Sequence, residues 1–200
     1  MKRILLAFVI VTLMTINGFA QYKPFQFGLS FTPTICTTKS NCDIIKDGKS
    51  KLSYNFGFRG NFYFVENYGF QTGFNFKNIK GEYTFNDSLN MPTQMNISNQ
   101  YFEIPLGLMM RTENIGKFRI SGTVSYGLGI LLKPKPTDEF SKIRNAFIIK
   151  LGFDYNIYKS SCLSVALVYD NNFTNIFKRK NSLGHDVSLS NFGLEIGFVF

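Results

Sequence analysis

Phe118-Arg119-Ile120-Ser121-Gly122-Thr123-Val124-Ser125-Tyr126-Gly127-Leu128-Gly129-Ile130 alternates along nearly its whole length. Phe118, Ile120, Val124, Tyr126, Leu128 and Ile130 fall on one side. Arg119, Ser121, Thr123, Ser125, Gly127 and Gly129 fall on the other. A period of two belongs to an extended strand, whose successive side chains point to opposite faces. The same pattern runs in both directions from this stretch. It recurs over Phe25–Thr32, Leu52–Phe62, Tyr68–Lys77, Tyr101–Arg111, Phe147–Asn156, Leu163–Asp170 and Phe192–Phe200. The sequence therefore predicts eight strands.

Charge separates the two faces. Arg59, Lys77, Glu103, Arg111, Arg119, Lys150, Asp154, Asp170 and Glu195 all fall on the polar side. The apolar side has about 40 positions and no charge. At 18% charged residues overall, random placement would put roughly seven there. The apolar side is rich in Phe, of which the chain has 23, with Tyr toward strand ends and no Trp anywhere. The polar side is crowded with Gly, Ser and Asn, which suit a narrow interior.

The connections alternate in length. Long ones run from about Pro33 to Ser50, Phe85 to Gln94, Lys133 to Arg144 and Asn171 to Asp186. Short ones fall at Val65–Asn67, Glu113–Gly116 and Tyr158–Ser161. Long loops on one side and tight turns on the other are the pattern of an outer-membrane barrel. The expected fold is all-β: an eight-stranded antiparallel transmembrane β-barrel, an up-and-down meander with both termini in the periplasm. Closure is required, because an open edge in lipid leaves N–H and C=O groups unpaired. A secreted soluble barrel of lipocalin type is the competing fold. Alternation does not separate the two, since a soluble calyx turns its apolar face inward. The phenylalanine-rich face and the chain's end on Phe198-Val199-Phe200 favour the membrane.

The first 20 residues read as an address. Lys2 and Arg3 precede an apolar run from Ile4 to Ile16, and Gly18-Phe19-Ala20 supplies small residues for a signal peptidase. The expected domains are a signal peptide over 1–20 and a barrel domain over 21–200. A single anchor helix is the competing reading, but the run is short for a bilayer span and no stop-transfer pattern follows.

Tyr101-Phe102-Glu103-Ile104-Pro105-Leu106 resembles the tyrosine-leucine-glutamate-isoleucine-proline-leucine signature of PorT-like outer-membrane β-barrel proteins. Gly127-Leu128-Gly129-Ile130-Leu131-Leu132 is similar to the following glycine-rich strand of that family. Val165-Ala166-Leu167-Val168-Tyr169 with Thr174-Asn175-Ile176 is similar to its penultimate strand. The resemblance implies an eight-stranded barrel in the outer membrane of a Gram-negative-type cell. It implies no activity. The member that names the family is associated with protein secretion, a role that nothing in these residues carries over. Phe198 and Phe200 resemble the C-terminal signal read by the barrel-assembly machinery.

Candidate chemistry is sparse. Arg59, Lys77, Glu103, Arg119, Lys150, Asp154 and Glu195 form an expected lumen cluster. In so narrow a barrel they are expected to pair into a plug, with a proton or ion pathway as the alternative. Cys36 and Cys42 lie in the first long connection and could close a disulfide loop in an oxidising compartment. Cys162 is left without a partner. His185, with Asp186, Ser182 and Ser188, is a weak hydrolase cluster, since Ser and Asp are ordinary loop residues. Phe177-Lys178-Arg179-Lys180 makes the last loop basic and could meet lipopolysaccharide phosphates or an acidic protein. Nucleic acid is not an expected partner, despite a net charge of +9. No enzyme activity, cofactor or metal is expected. The expected partners are outer-membrane lipid and, during insertion, the assembly machinery. The expected function is a structural or interaction barrel. A secretion accessory and a small channel are the alternatives.

Overall fold

The computed structural model describes residues 24–40, 45–47, 49–86, 92–133, 140–158, 161–174 and 187–200. The signal segment, Cys42, the basic stretch 177–180 and His185 lie outside them. Among the described residues nine strands follow one another: β1 Phe25–Ser40, β2 Ile45–Asp47, β3 Lys51–Val65, β4 Tyr68–Asn86, β5 Pro92–Arg111, β6 Phe118–Lys133, β7 Ile143–Tyr158, β8 Ser161–Asn172 and β9 Val187–Val199. β2 is a three-residue addition that pairs with the far end of β4, at Tyr83–Phe85. The other eight form a closed antiparallel barrel, each pairing with its neighbours in sequence. β1 and β9 complete the circle. Phe27 and Phe200 exchange backbone hydrogen bonds there, at 3.0 and 2.7 Å.

The expected alternation is realised as lumen and exterior. Phe25, Phe27, Leu29, Phe31 and Ile35 are exposed on β1, while Ser30, Thr32, Cys36 and Thr38 are buried. A row of phenylalanines crosses four strands outside: Phe27 to Phe58 at 5.7 Å, Phe58 to Phe74 at 5.3 Å and Phe74 to Phe102 at 6.2 Å, all stacked. Offset aromatic contacts at such separations stabilise beyond plain burial.

Two prolines are accommodated at gaps in the ladder. The β4–β5 register runs from Thr72↔Leu106 to Asn75↔Glu103 and skips the pairs between, where Pro105 has no N–H to give. Pro105 keeps its partner Gly127 on β6. Pro33 likewise interrupts β1–β9 between Phe31↔Ile196 and Thr34↔Gly193. Opposite Pro105, Gly73 takes φ of 154°, and a Cβ there would lie 2.0 Å from the Phe58 carbonyl oxygen.

The strands are longer at one end than the sequence suggests. β1 continues through Thr37 and Thr38 to Ser40, and the β4–β5 ladder continues to Asn86↔Pro92. Much of the expected connections 33–50 and 85–94 is therefore strand. The register partners there carry their own β-formers, such as Thr84 and Ile97, so the ladder has no reason to stop at the rim. These extensions mark the loop end of the barrel; the other, the turn end, has tight turns at 66–67 and 116–117.

Candidate functional site: the charged lumen

Inward-facing side chains fill the barrel in layers. Nearest the loop end is an apolar plug of Cys36, Ile79, Ile97, Tyr101, Phe140, Val187 and Leu189, with Leu131 packed against it. Phe140 precedes β7 and is 1% exposed. It reaches the lumen from a connection, not from a strand.

Below the plug lies a ring of four charges. Lys77 Nζ forms an ion pair with Glu103 Oε1 at 2.6 Å and donates to Asp170 at 2.8 Å. Arg144 donates through Nη2 to Asp170 at 2.6 Å and through Nη1 to Glu103. Each cation touches both carboxylates, and the ring sums to zero charge. The four groups come from β4, β5, β7 and β8, so the ring ties opposite walls of the barrel together. Isolated charges in a dry interior are costly, whereas paired and hydrogen-bonded ones are tolerated. Gly127 makes room for this arrangement: a Cβ there would lie 2.9 Å from Glu103 Cδ and 3.0 Å from Ile148 Cδ1.

The next layer is a triad. Arg59 donates to Glu195 Oε1 at 2.9 Å and Lys150 to Oε2 at 2.6 Å. Toward the turn end, Gln71 donates to Asn61 at 2.9 Å. Arg111 lies 3.6 Å over the Tyr63 ring, donates to the Glu66 carbonyl at 2.8 Å and reaches Gln26 at 3.3 Å. A small cavity lined by Arg59, Tyr63, Lys150, Asp154, Cys162 and Glu195 has room for about one water molecule.

Of the seven expected lumen residues, Arg59, Lys77, Glu103, Lys150 and Glu195 join these networks. Arg119 and Asp154 are register partners on β6 and β7. Among the described residues no salt bridge joins them. Two members of the ring lie outside that set. Asp170 falls on the polar face of β8, and its role depends on the register across the barrel. Arg144 falls within the expected fifth connection, yet β7 begins at Ile143. Ile143 faces out and Arg144 in, so the in–out alternation of β7 starts before its apolar stretch.

Of the expected Cys36–Cys42 pair, Cys42 lies outside the described residues, and the placement of Cys36 is corrected. Cys36 is a buried, free thiol on β1, not a loop residue. Its side chain is enclosed by the apolar plug because β1 extends past it to Ser40. Cys162 is also free and buried, low in the lumen. Phe198 and Phe200 sit on the exterior, their rings 6.3 Å apart, on and just beyond the strand that closes the barrel. Among the described residues, no group of three His, Cys, Asp or Glu is placed to hold a metal.

An apolar, aromatic exterior around a charged, filled interior, closed without an edge, defines an integral membrane β-barrel. The chain belongs to the outer membrane protein beta-barrel domain family, whose model matches residues 19–178, and it is an outer-membrane protein. No curated protein matches it in sequence. Among solved structures, it is similar to the outer membrane protein OprG from Pseudomonas aeruginosa: 12% identity, TM-score 0.56, covering 90% of this chain and 97% of that one. It is similar to Neisserial surface protein A: 9% identity, TM-score 0.50, covering 86% and 95%. The outer membrane enzyme PagL has 7% identity, TM-score 0.49, covering 84% and 97%. At these identities the likeness speaks of the fold.

Proposed function

We propose that this chain is a structural or interaction barrel: it seals its own lumen and presents the extended loop end to partners outside the cell. The carrying observation is the neutral Lys77–Glu103–Arg144–Asp170 ring beneath an apolar plug. Eight-stranded barrels of this kind are wide enough to be filled by side chains. A conducting path would have to break both layers. In this reading the tight turns and both termini face the periplasm, and residues 1–20 are removed on export. Phe198 and Phe200 serve the assembly machinery during insertion. The barrel is not an enzyme.

The PorT-like resemblance gains a structural explanation in this reading. Tyr101 belongs to the plug, Glu103 to the ring, and Pro105 sits at the ladder gap. The motif is accounted for by lumen packing and lends no weight to a role in secretion. The test is conductance. Purified protein in planar bilayers should pass no steady current. Reproducible, ion-selective single-channel steps that change with Glu103→Gln would overturn the sealed lumen. Recovery of a stoichiometric partner at the periplasmic turns would instead favour the secretion accessory.

A further inference from the structure

The exterior apolar band has a measurable height. On β1 it runs from Phe25 to Ile35. Ten residues at about 3.4 Å each, tilted by about 40°, rise about 26 Å. That matches the roughly 25 Å apolar band of membrane barrels. Charges begin immediately beyond it at the loop end, and the exposed ones among the described residues share one sign. Exposed Lys39 on β1 stands four residues past Ile35, and exposed Lys80 on β4 four residues past Phe76. Exposed Lys133 directly follows Leu132 at the end of β6, and exposed Lys142 directly precedes Ile143 at the start of β7. These spacings put the four Cα atoms about 3–10 Å beyond the apolar edge, where a bilayer keeps its headgroups. Lysine stems can lie along the apolar band while the amines reach that layer.

Among the described side chains of this rim, the acid Glu82 is already neutralised by a fifth lysine, Lys51. Glu82 lies on the same face of β4 as Lys80, but it is covered and bound by Lys51 at 2.7 Å. The hydrogen bond from Lys51 holds its carboxyl below the ordinary range. The turn end differs: exposed Glu66 and Glu113 accompany exposed Lys117. Exposed amines on β1, on β4, at the end of β6 and just before β7, at headgroup height and at one end of the barrel, are complementary to a layer of anionic headgroups.

We infer that Lys39, Lys80, Lys133 and Lys142 form a belt that binds phosphate-bearing lipid headgroups at the loop end of the barrel. The inference rests on the membrane-barrel reading and not on the sealed lumen, so conductance measurements leave it untouched. The folded full-length mature protein in mixed micelles, with a diphosphorylated glycolipid as probe, provides the test. Native mass spectrometry reads the lipid carried per barrel. Lys39→Gln/Lys80→Gln/Lys133→Gln/Lys142→Gln should carry at least five-fold less than the unsubstituted protein. Lys117→Gln, at the other end, should carry the same amount. In 1 M salt, where the screening length is about 3 Å, the unsubstituted protein should lose most of its lipid. That measurement stands even if the quadruple variant does not fold. Inorganic phosphate should not compete at millimolar concentration, since a single anion engages one amine of a belt spread over four strands. Equal retention by the quadruple variant, lipid binding indifferent to salt, or displacement by inorganic phosphate would overturn the belt.

Discussion

Replacing Glu103 with Gln removes one charge from a ring that is neutral and almost wholly closed to water. Glu103 is 0% exposed, and its partners Lys77 and Arg144 are nearly as buried. The substitution leaves two cations to share Asp170, a net charge of +1 in the middle of the lumen. Breaking a buried pair from one side costs about 3–5 kcal/mol, because the remaining charge keeps its desolvation penalty without its partner. Lys77→Met leaves a net charge of −1 and should cost a similar amount. The double variant is neutral again, since Arg144 and Asp170 still face each other at 2.6 Å. It should be about as stable as either single variant, a coupling on the order of 3 kcal/mol. Stability can be followed by urea titration in lipid vesicles. The folded fraction is read from unboiled gels, on which a closed barrel migrates differently from the unfolded chain. Additive effects, within about 0.5 kcal/mol, would show that the four groups do not act as a unit, and the account of the plug would fail.

The same titration tests the lipid face. Leu106→Arg, at an exterior position flanked by Thr72 and Tyr126, should cost about 2–4 kcal/mol near the bilayer midplane, and a negligible loss would refute its placement. Gly127→Ala forces a methyl against Glu103 and Ile148 and should cost about 1–3 kcal/mol as an overpacked site. Unchanged stability would mean the ring is looser than described. A maleimide should label neither Cys36 nor Cys162 in folded protein and both after boiling in detergent, mapped by peptide mass; rapid labelling of Cys36 would contradict its enclosure. The mass of the chain isolated from outer membranes should place its first residue at Gln21, and recovery there of a chain still carrying Met1 would refute cleavage.

The barrel itself was legible because its two solvents differ so sharply. Lipid on one side and a polar lumen on the other print a period of two into each strand. Where that contrast fades, so does the reading. Ile79, Ile97, Ile148 and Leu189 point inward yet are apolar, and Ile148 sits between two outward apolar residues, Phe147 and Ile149. Polarity cannot mark a face there, so the plug was invisible. Arg144 was hidden differently, by a strand that begins before its densest apolar stretch. The pairing of Lys77 with Asp170 follows from eight registers acting together, which no local pattern encodes. Cys36 shows the same lesson from the other side: a residue near a turn-rich stretch becomes lumen once β1 is extended by a few positions.

A cylinder of strands is nearly symmetric about its axis, but the outside of this one is not. The stacked row Phe27, Phe58, Phe74 and Phe102 occupies β1, β3, β4 and β5. The opposite wall is mixed: Val124, Leu128, Ile149, Leu151 and Leu167 alternate with aromatics such as Tyr126 and Tyr169. Flat, rigid rings present a corrugated, polarisable wall, whereas branched aliphatic chains resemble the acyl tails around them. In the plane of the membrane the molecule therefore has a front and a back. Its neighbours, lipid or protein, meet a compass bearing as well as a depth.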